Sequence, residues 1–116
     1  MLIFPLKKEW YEKIKSGEKK IEYREVKPYW IKRFSNAFGY YKGTYLQGHN
    51  PFEKELGVCI KAGICPVLCI LRLGYTNRYM TANITKIEIV DGEDTDLHID
   101  KLVYAIHLCN VKEVEK

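Results

Sequence analysis

The chain has no apolar run approaching the roughly 20 residues that cross a bilayer as a helix, so no membrane-spanning helix is expected. Internal repeats and linker-like stretches are missing too, and the 116 residues read as one domain, 1–116, long enough to bury a core without staples. Residues 1–6 are apolar but carry neither a basic leader nor a small-residue cleavage site, so they read as a strand rather than a signal peptide. Cysteine is sparse: Cys59, Cys65, Cys69 and Cys109 are separated by five, three and thirty-nine residues. Zinc knuckles and ribbons need close pairs such as C-x₂-C. His49, His98 and His107 have no partner at metal-ligand spacing either. No metal and no cofactor is therefore expected. Cys65, Cys69 and Cys109 read as small hydrophobes inside apolar strands, and unpaired thiols suit a protein of the reducing cytoplasm.

Acid is scarce where base is plentiful. Residues 1–33 hold ten Lys/Arg against five Asp/Glu, and residues 34–90 hold six against three, so the first ninety residues sum to +8. Residues 91–116 reverse this, with three against seven. A positive field of this kind concentrates polyanions. The apolar fraction is 47% and the charged fraction 29%, the balance of a globular domain with a solvated surface.

Periodicity orders the chain. Residues 2–6 read as a strand and 7–16 as a helix, with Trp10 and Ile14 as its apolar stripe. Gly17 is placed to end that helix in a left-handed turn. Residues 19–25 read as a strand. Pro28 suits the first position of a second helix, 28–34, whose Trp30 and Phe34 face the core. Residues 35–57 are a Gly/Tyr-rich loop or insertion, with a short strand conceivable at 38–45. Residues 64–73 read as a strand covered on both faces. Residues 78–90 read as a long strand in which the apolar parity slips between Ala82/Ile84 and Ile87/Ile89, which predicts a bulge. Residues 102–111 close the chain as a last strand. Strands outnumber helices and do not alternate with them. The fold class is therefore α+β, mainly β: a small antiparallel barrel or curled sheet with one or two N-terminal helices packed at its mouth.

The densest ionic stretch is 17–24, Gly-Glu-Lys-Lys-Ile-Glu-Tyr-Arg. Strand side chains alternate, so Glu22 and Arg24 share one face, and Ile21 and Tyr23 the other. With Lys19 at the strand entrance, this arrangement orients a polar ligand, or it is an ordinary solvated edge; spacing alone allows both.

These residues carry a resemblance. Gly17, Lys19, Glu22 and Arg24, after an apolar strand and a short amphipathic helix, resemble the G-x-K-x-x-E-x-R signature of ASCH domains, which are PUA-like β-barrels. Residues 28–33 and the Arg72-Leu-Gly74-Tyr75 turn resemble the small single-domain bacterial and phage members. The resemblance implies a cleft between barrel and helices that takes RNA or a nucleoside-like ligand. In it Lys19 contacts a phosphate or carbonyl, Glu22 accepts from an exocyclic amine, and Arg24 orients Glu22 or forks onto a phosphate. Tyr23, Tyr29 and Trp30 are candidates for base stacking, Trp30 being the better core residue. Arg33, Tyr75 and Arg78 are candidates for exposed contacts. A related branch, the N4-acetylcytidine amidohydrolases, places a lysine as at Lys19 and a threonine nucleophile where this chain has Glu22. If the chain is an enzyme, Lys19 and Glu22 are its catalytic pair, with Glu88 as a third candidate. A third class is a protein-interaction domain using Phe38, Tyr40, Tyr41 and Tyr45.

Overall fold

The computed structural model describes residues 2–39, 50–53, 57–62 and 67–114. Strand β1 (Leu2–Leu6) leads into helix α1 (Lys8–Ser16), strand β2 (Ile21–Glu25) and helix α2 (Pro28–Ala37). Strands β3 (Cys59–Lys61), β4 (Val67–Leu73), β5 (Tyr79–Asp91) and β6 (Leu102–Glu113) follow. The six strands form one sheet ordered β1-β4-β5-β6-β2, with β3 also paired to β5. Every pairing is antiparallel except β1 with β4. The sheet curls into a half-barrel, the mainly β form of an α+β domain that the strand count predicts. No helix among the described residues is long and apolar enough to cross a membrane.

Local chemistry sets the elements. Gly17 ends α1 at φ +85°, its N–H donating to the Ile14 carbonyl. A side chain there would strain the left-handed turn that swings the chain into β2. Pro28 starts α2. The expected bulge is present: the β5–β6 register shifts between Thr81 and Asn83 and again between Ile84 and Lys86. The slip lets Ala82, Ile84, Ile87 and Ile89 all reach the core although their parity changes.

Several boundaries differ from the sequence reading. The inward pair on α1 is Tyr11 and Ile14; Trp10 is only partly covered. Phe38 caps the end of α2 rather than starting a strand, so the strand at 38–45 is not formed at its first residue. Residues 40–45, Tyr40, Tyr41 and Tyr45 among them, lie outside the described residues, as do His49, Cys65 and the first residues of the strand expected at 64–73. Of the thiols, Cys69 is buried, Cys109 half-buried and Cys59 exposed, which corrects the placement of Cys109 as a core residue. Burial, and then the Glu22 carboxylate, push the Cys69 thiol up to about 12, so it is inert.

The core is an aromatic column between α2 and the sheet. Phe34 is fully buried and meets the rings of Phe4, Trp30, Phe52 and Tyr104 at centroid distances of 4.8–6.1 Å. The buried Tyr104 hydroxyl donates to the Phe52 carbonyl at 2.6 Å, tying the 50–53 segment to β6.

A second tie joins α1 to the far end of the sheet. Glu113 accepts from the Tyr11 hydroxyl at 2.7 Å and from Arg78 at 3.0 Å, and pairs with Lys15 at 3.1 Å. These donors hold the Glu113 carboxyl at about 2, well below its ordinary 4.5. A depressed carboxyl contributes stability above its unfolded value and loses it as pH falls toward the folded value. The melting temperature of the wild type is therefore expected to exceed that of Glu113→Gln near neutral pH, the gap closing between roughly pH 4.5 and 2. A gap that stays constant over that window would show the tie to be electrostatically idle.

Candidate functional site

The two end strands of the curled sheet, β1 and β2, face one another across an unpaired seam. Arg24 bridges it, donating to the Pro5 carbonyl at 2.8 Å. Pro5 has no N–H to pair, so β1 meets the seam with one donor fewer. Along β2, Glu22 and Arg24 stand opposite Ile106 and Tyr104, which are both core residues. The charged pair thus occupies the inward face of an edge strand, where apolar side chains usually sit. Inward charge on an edge also blocks pairing with another chain.

The charges are satisfied internally. Glu22 is 6% exposed. One of its oxygens accepts from Arg24 at 3.0 Å and the other from the Tyr23 backbone N–H at 3.1 Å. The Arg24 guanidinium lies 5.4 Å from the ring centroids of both Phe4 and Trp30. The Lys19 ammonium lies 3.8 Å from Glu22, contacts Asp96, and rests against the rings of Trp10 (4.7 Å) and Tyr23 (5.0 Å). Burial, with the Asp96 charge, raises the Tyr23 hydroxyl above its ordinary value. Asp96 reaches this point from the 92–101 connection. That connection is tightly folded: a Cβ on Gly92 would lie 2.6 Å from the Lys101 carbonyl oxygen and 2.7 Å from that of Ile99.

These groups border a hollow of about 350 Å³ at the seam, within the size range of small-ligand sites. Lys19, Glu22, Tyr23 and Arg24 all line it, with Trp10 and Trp30 as aromatic walls. Its cations are Lys7, Lys19, Arg24 and Lys27, and its carboxylates are Glu22, Glu25 and Asp96. Glu25 is drawn off to Lys101 at 3.3 Å. Lys7 and Lys27 are exposed and form no ion pair among the described residues. Each is the residue preceding a helix, and neither helix has a side-chain cap. Helix starts carry unsatisfied N–H groups and partial positive charge. The hollow thus offers an acceptor-rich carboxylate floor, flat apolar walls and a basic rim.

Compared with family models, curated proteins and solved structures, the chain matches none. The functional reading therefore stands on the geometry.

Of the sequence-derived site residues, Lys19, Glu22, Tyr23, Arg24 and Trp30 line the hollow, and Tyr29, Arg33, Tyr75, Arg78 and Glu88 do not. Tyr29 is exposed, edge-on to Trp30 and covered by Arg33 at 4.2 Å, so this pair lies on α2 but outside the lining. Tyr75 is 94% exposed on the β4–β5 turn, and Arg78 is committed to Glu113 and the Tyr11 ring. Glu88 is also elsewhere, paired with Lys86 at 3.2 Å and His107 at 2.9 Å. Sequence reasoning missed Trp10, Lys7, Lys27 and Asp96. A helix of about two and a half turns let either Trp10 or Tyr11 face inward, and nothing marks Asp96 among the acids of the 91–100 stretch.

Proposed function

We propose that the chain is an ASCH-like, PUA-like module that binds single-stranded RNA or a modified nucleoside without catalysing its conversion, holding one base in the seam hollow. The observation that carries the reading is the convergence of Lys19, Glu22 and Arg24 on a hollow walled by both of the chain's tryptophans. A nucleobase needs flat apolar faces and edge partners at once. Trp10, Trp30 and Tyr23 offer the first, and the Glu22 carboxylate, accepting from an exocyclic amine, offers the second. Lys7 and Lys27, exposed at the rim of the hollow, are available to the phosphate of that nucleotide.

The amidohydrolase reading has less support. Among the described lining residues the only hydroxyl is that of Tyr23, and there is no thiol. Lys19 and Glu22 are engaged with each other and with neighbours. The interaction-domain reading loses Phe38, which packs on the Phe52 ring at 5.3 Å.

Both tryptophans border the hollow, so intrinsic fluorescence reports on it. Titration with ribonucleoside monophosphates and with single-stranded RNA is expected to give saturable quenching. Glu22→Gln is expected to weaken binding about tenfold, the loss of one charge-assisted hydrogen bond. No quenching by any of these probes at low salt would end the assignment.

A further inference from the structure

A second hollow of about 370 Å³ borders the first. The two share Trp10, Lys19, Tyr23 and Asp96, so these four side chains form a partition between adjoining spaces. The partition carries two aromatic rings and an ion pair. Beyond it lie Lys13 and Lys20, cations that the first hollow does not use. Lys13 is held only by a long pair to Glu9, 3.9 Å, and stands 5.0 Å from the Trp10 ring. Lys20 is exposed and unpaired among the described residues.

Each hollow therefore has an aromatic wall and its own free or weakly held cations: Lys7 and Lys27 on one side, Lys13 and Lys20 on the other. A free nucleoside fills only one such space and leaves the second pair of lysines idle. A strand fills both. Non-specific single-strand sites are built in this way, from stacking rings set along a positive groove that follows the backbone.

We propose that the second hollow is a subsite for the neighbouring nucleotide, so that the ligand is a single-stranded oligoribonucleotide of at least two residues rather than a free nucleoside. The strand passes over the partition of Trp10, Lys19, Tyr23 and Asp96, with one base on each side, and its phosphates meet Lys13 and Lys20 beyond the crossing. This rests on the seam hollow being a base site, and deepens that reading.

The test compares the four ribonucleoside 5′-monophosphates with a mixed-sequence single-stranded hexaribonucleotide, by tryptophan quenching over a salt series. The hexamer is expected to bind about tenfold or more tightly than the best monophosphate, from one further stacked base. In Lys13→Gln/Lys20→Gln that advantage is expected to fall toward one. The slope of log affinity against log salt is expected to become shallower by roughly 1.4, at about 0.7 per lost phosphate contact. A hexamer no tighter than a monophosphate that does bind overturns the second subsite and leaves the first standing. A tighter hexamer whose advantage and salt slope survive the double substitution places the extra contacts elsewhere and also overturns it. Failure of both probes to bind overturns the two readings together.

Discussion

Arg24→Ala is expected to destabilise the protein by about 3 kcal/mol, the lower end of the cost of breaking a buried ion pair. The reason is what the substitution leaves behind. Arg24 partners the buried Glu22 carboxylate at 3.0 Å and the Pro5 carbonyl at 2.8 Å. Without it the seam between β1 and β2 loses its bridge and Glu22 keeps only Lys19, 3.8 Å away, as a counter-charge. That remaining lysine is why the lower end of the range applies. Arg24→Lys is expected to recover only part of the loss: both bonds leave one nitrogen, Nη2, which an ammonium can imitate, but the planar group beside the Phe4 and Trp30 rings is gone. Glu22→Gln/Arg24→Met, which removes both charges, is expected to cost less than Arg24→Ala alone, since no unpaired carboxylate remains. Urea unfolding of the four proteins checks the series. A double substitution as costly as the single one would mean that Arg24 acts through packing on Phe4 and Trp30 rather than through charge. A loss under about 1 kcal/mol for Arg24→Ala would make the bridge a surface contact in energetic terms.

Phe34→Ala is expected to be at least as damaging, at about 3–5 kcal/mol. Phe34 is wholly buried and is the ring on which Phe4, Trp30, Phe52 and Tyr104 converge. The cavity left by truncation lies between α2 and the sheet, and α2 also carries Trp30 and begins next to Lys27. For a domain of this size, 3 kcal/mol lowers the melting temperature by roughly 12 °C. Loss of ligand-induced quenching should accompany the loss of stability. Phe34→Leu, which keeps most of the volume, should retain a large part of both. A melting temperature within a few degrees of wild type for Phe34→Ala would show that α2 is held to the sheet by other contacts.

Much of the architecture was legible because it follows from local rules. The parity slip between Ala82/Ile84 and Ile87/Ile89 marked the bulge in β5, since only a bulge lets both pairs face one core. Gly17 and Pro28 marked their turns through backbone geometry that few other residues share. Lys19, Glu22 and Arg24 were recognisable as a cluster because four to six residues of turn and strand bring them together without help from the rest of the chain. The misreadings have the opposite character. Tyr75 and Arg78 are basic or aromatic residues at a turn, and nothing in a turn says which end of a sheet it occupies. Trp10 and Tyr11 are consecutive on one helix, and which of them is buried depends on how α1 rotates against β4 and β6. Asp96 is one acid among several, more than seventy residues from Lys19.

By itself the sequence determined the strand-rich class, the turn at Gly17, the bulge and the local ionic cluster, because side-chain alternation and backbone preference act over a few residues. Only the tertiary structure decided that β1 and β2 meet as opposite edges of one curled sheet, that Arg24 closes the gap between them, and that Trp10 and Asp96 complete the hollow. Those outcomes depend on where the sheet's curl carries distant segments, and that curl is set by the packing of the whole core rather than by any short stretch of residues.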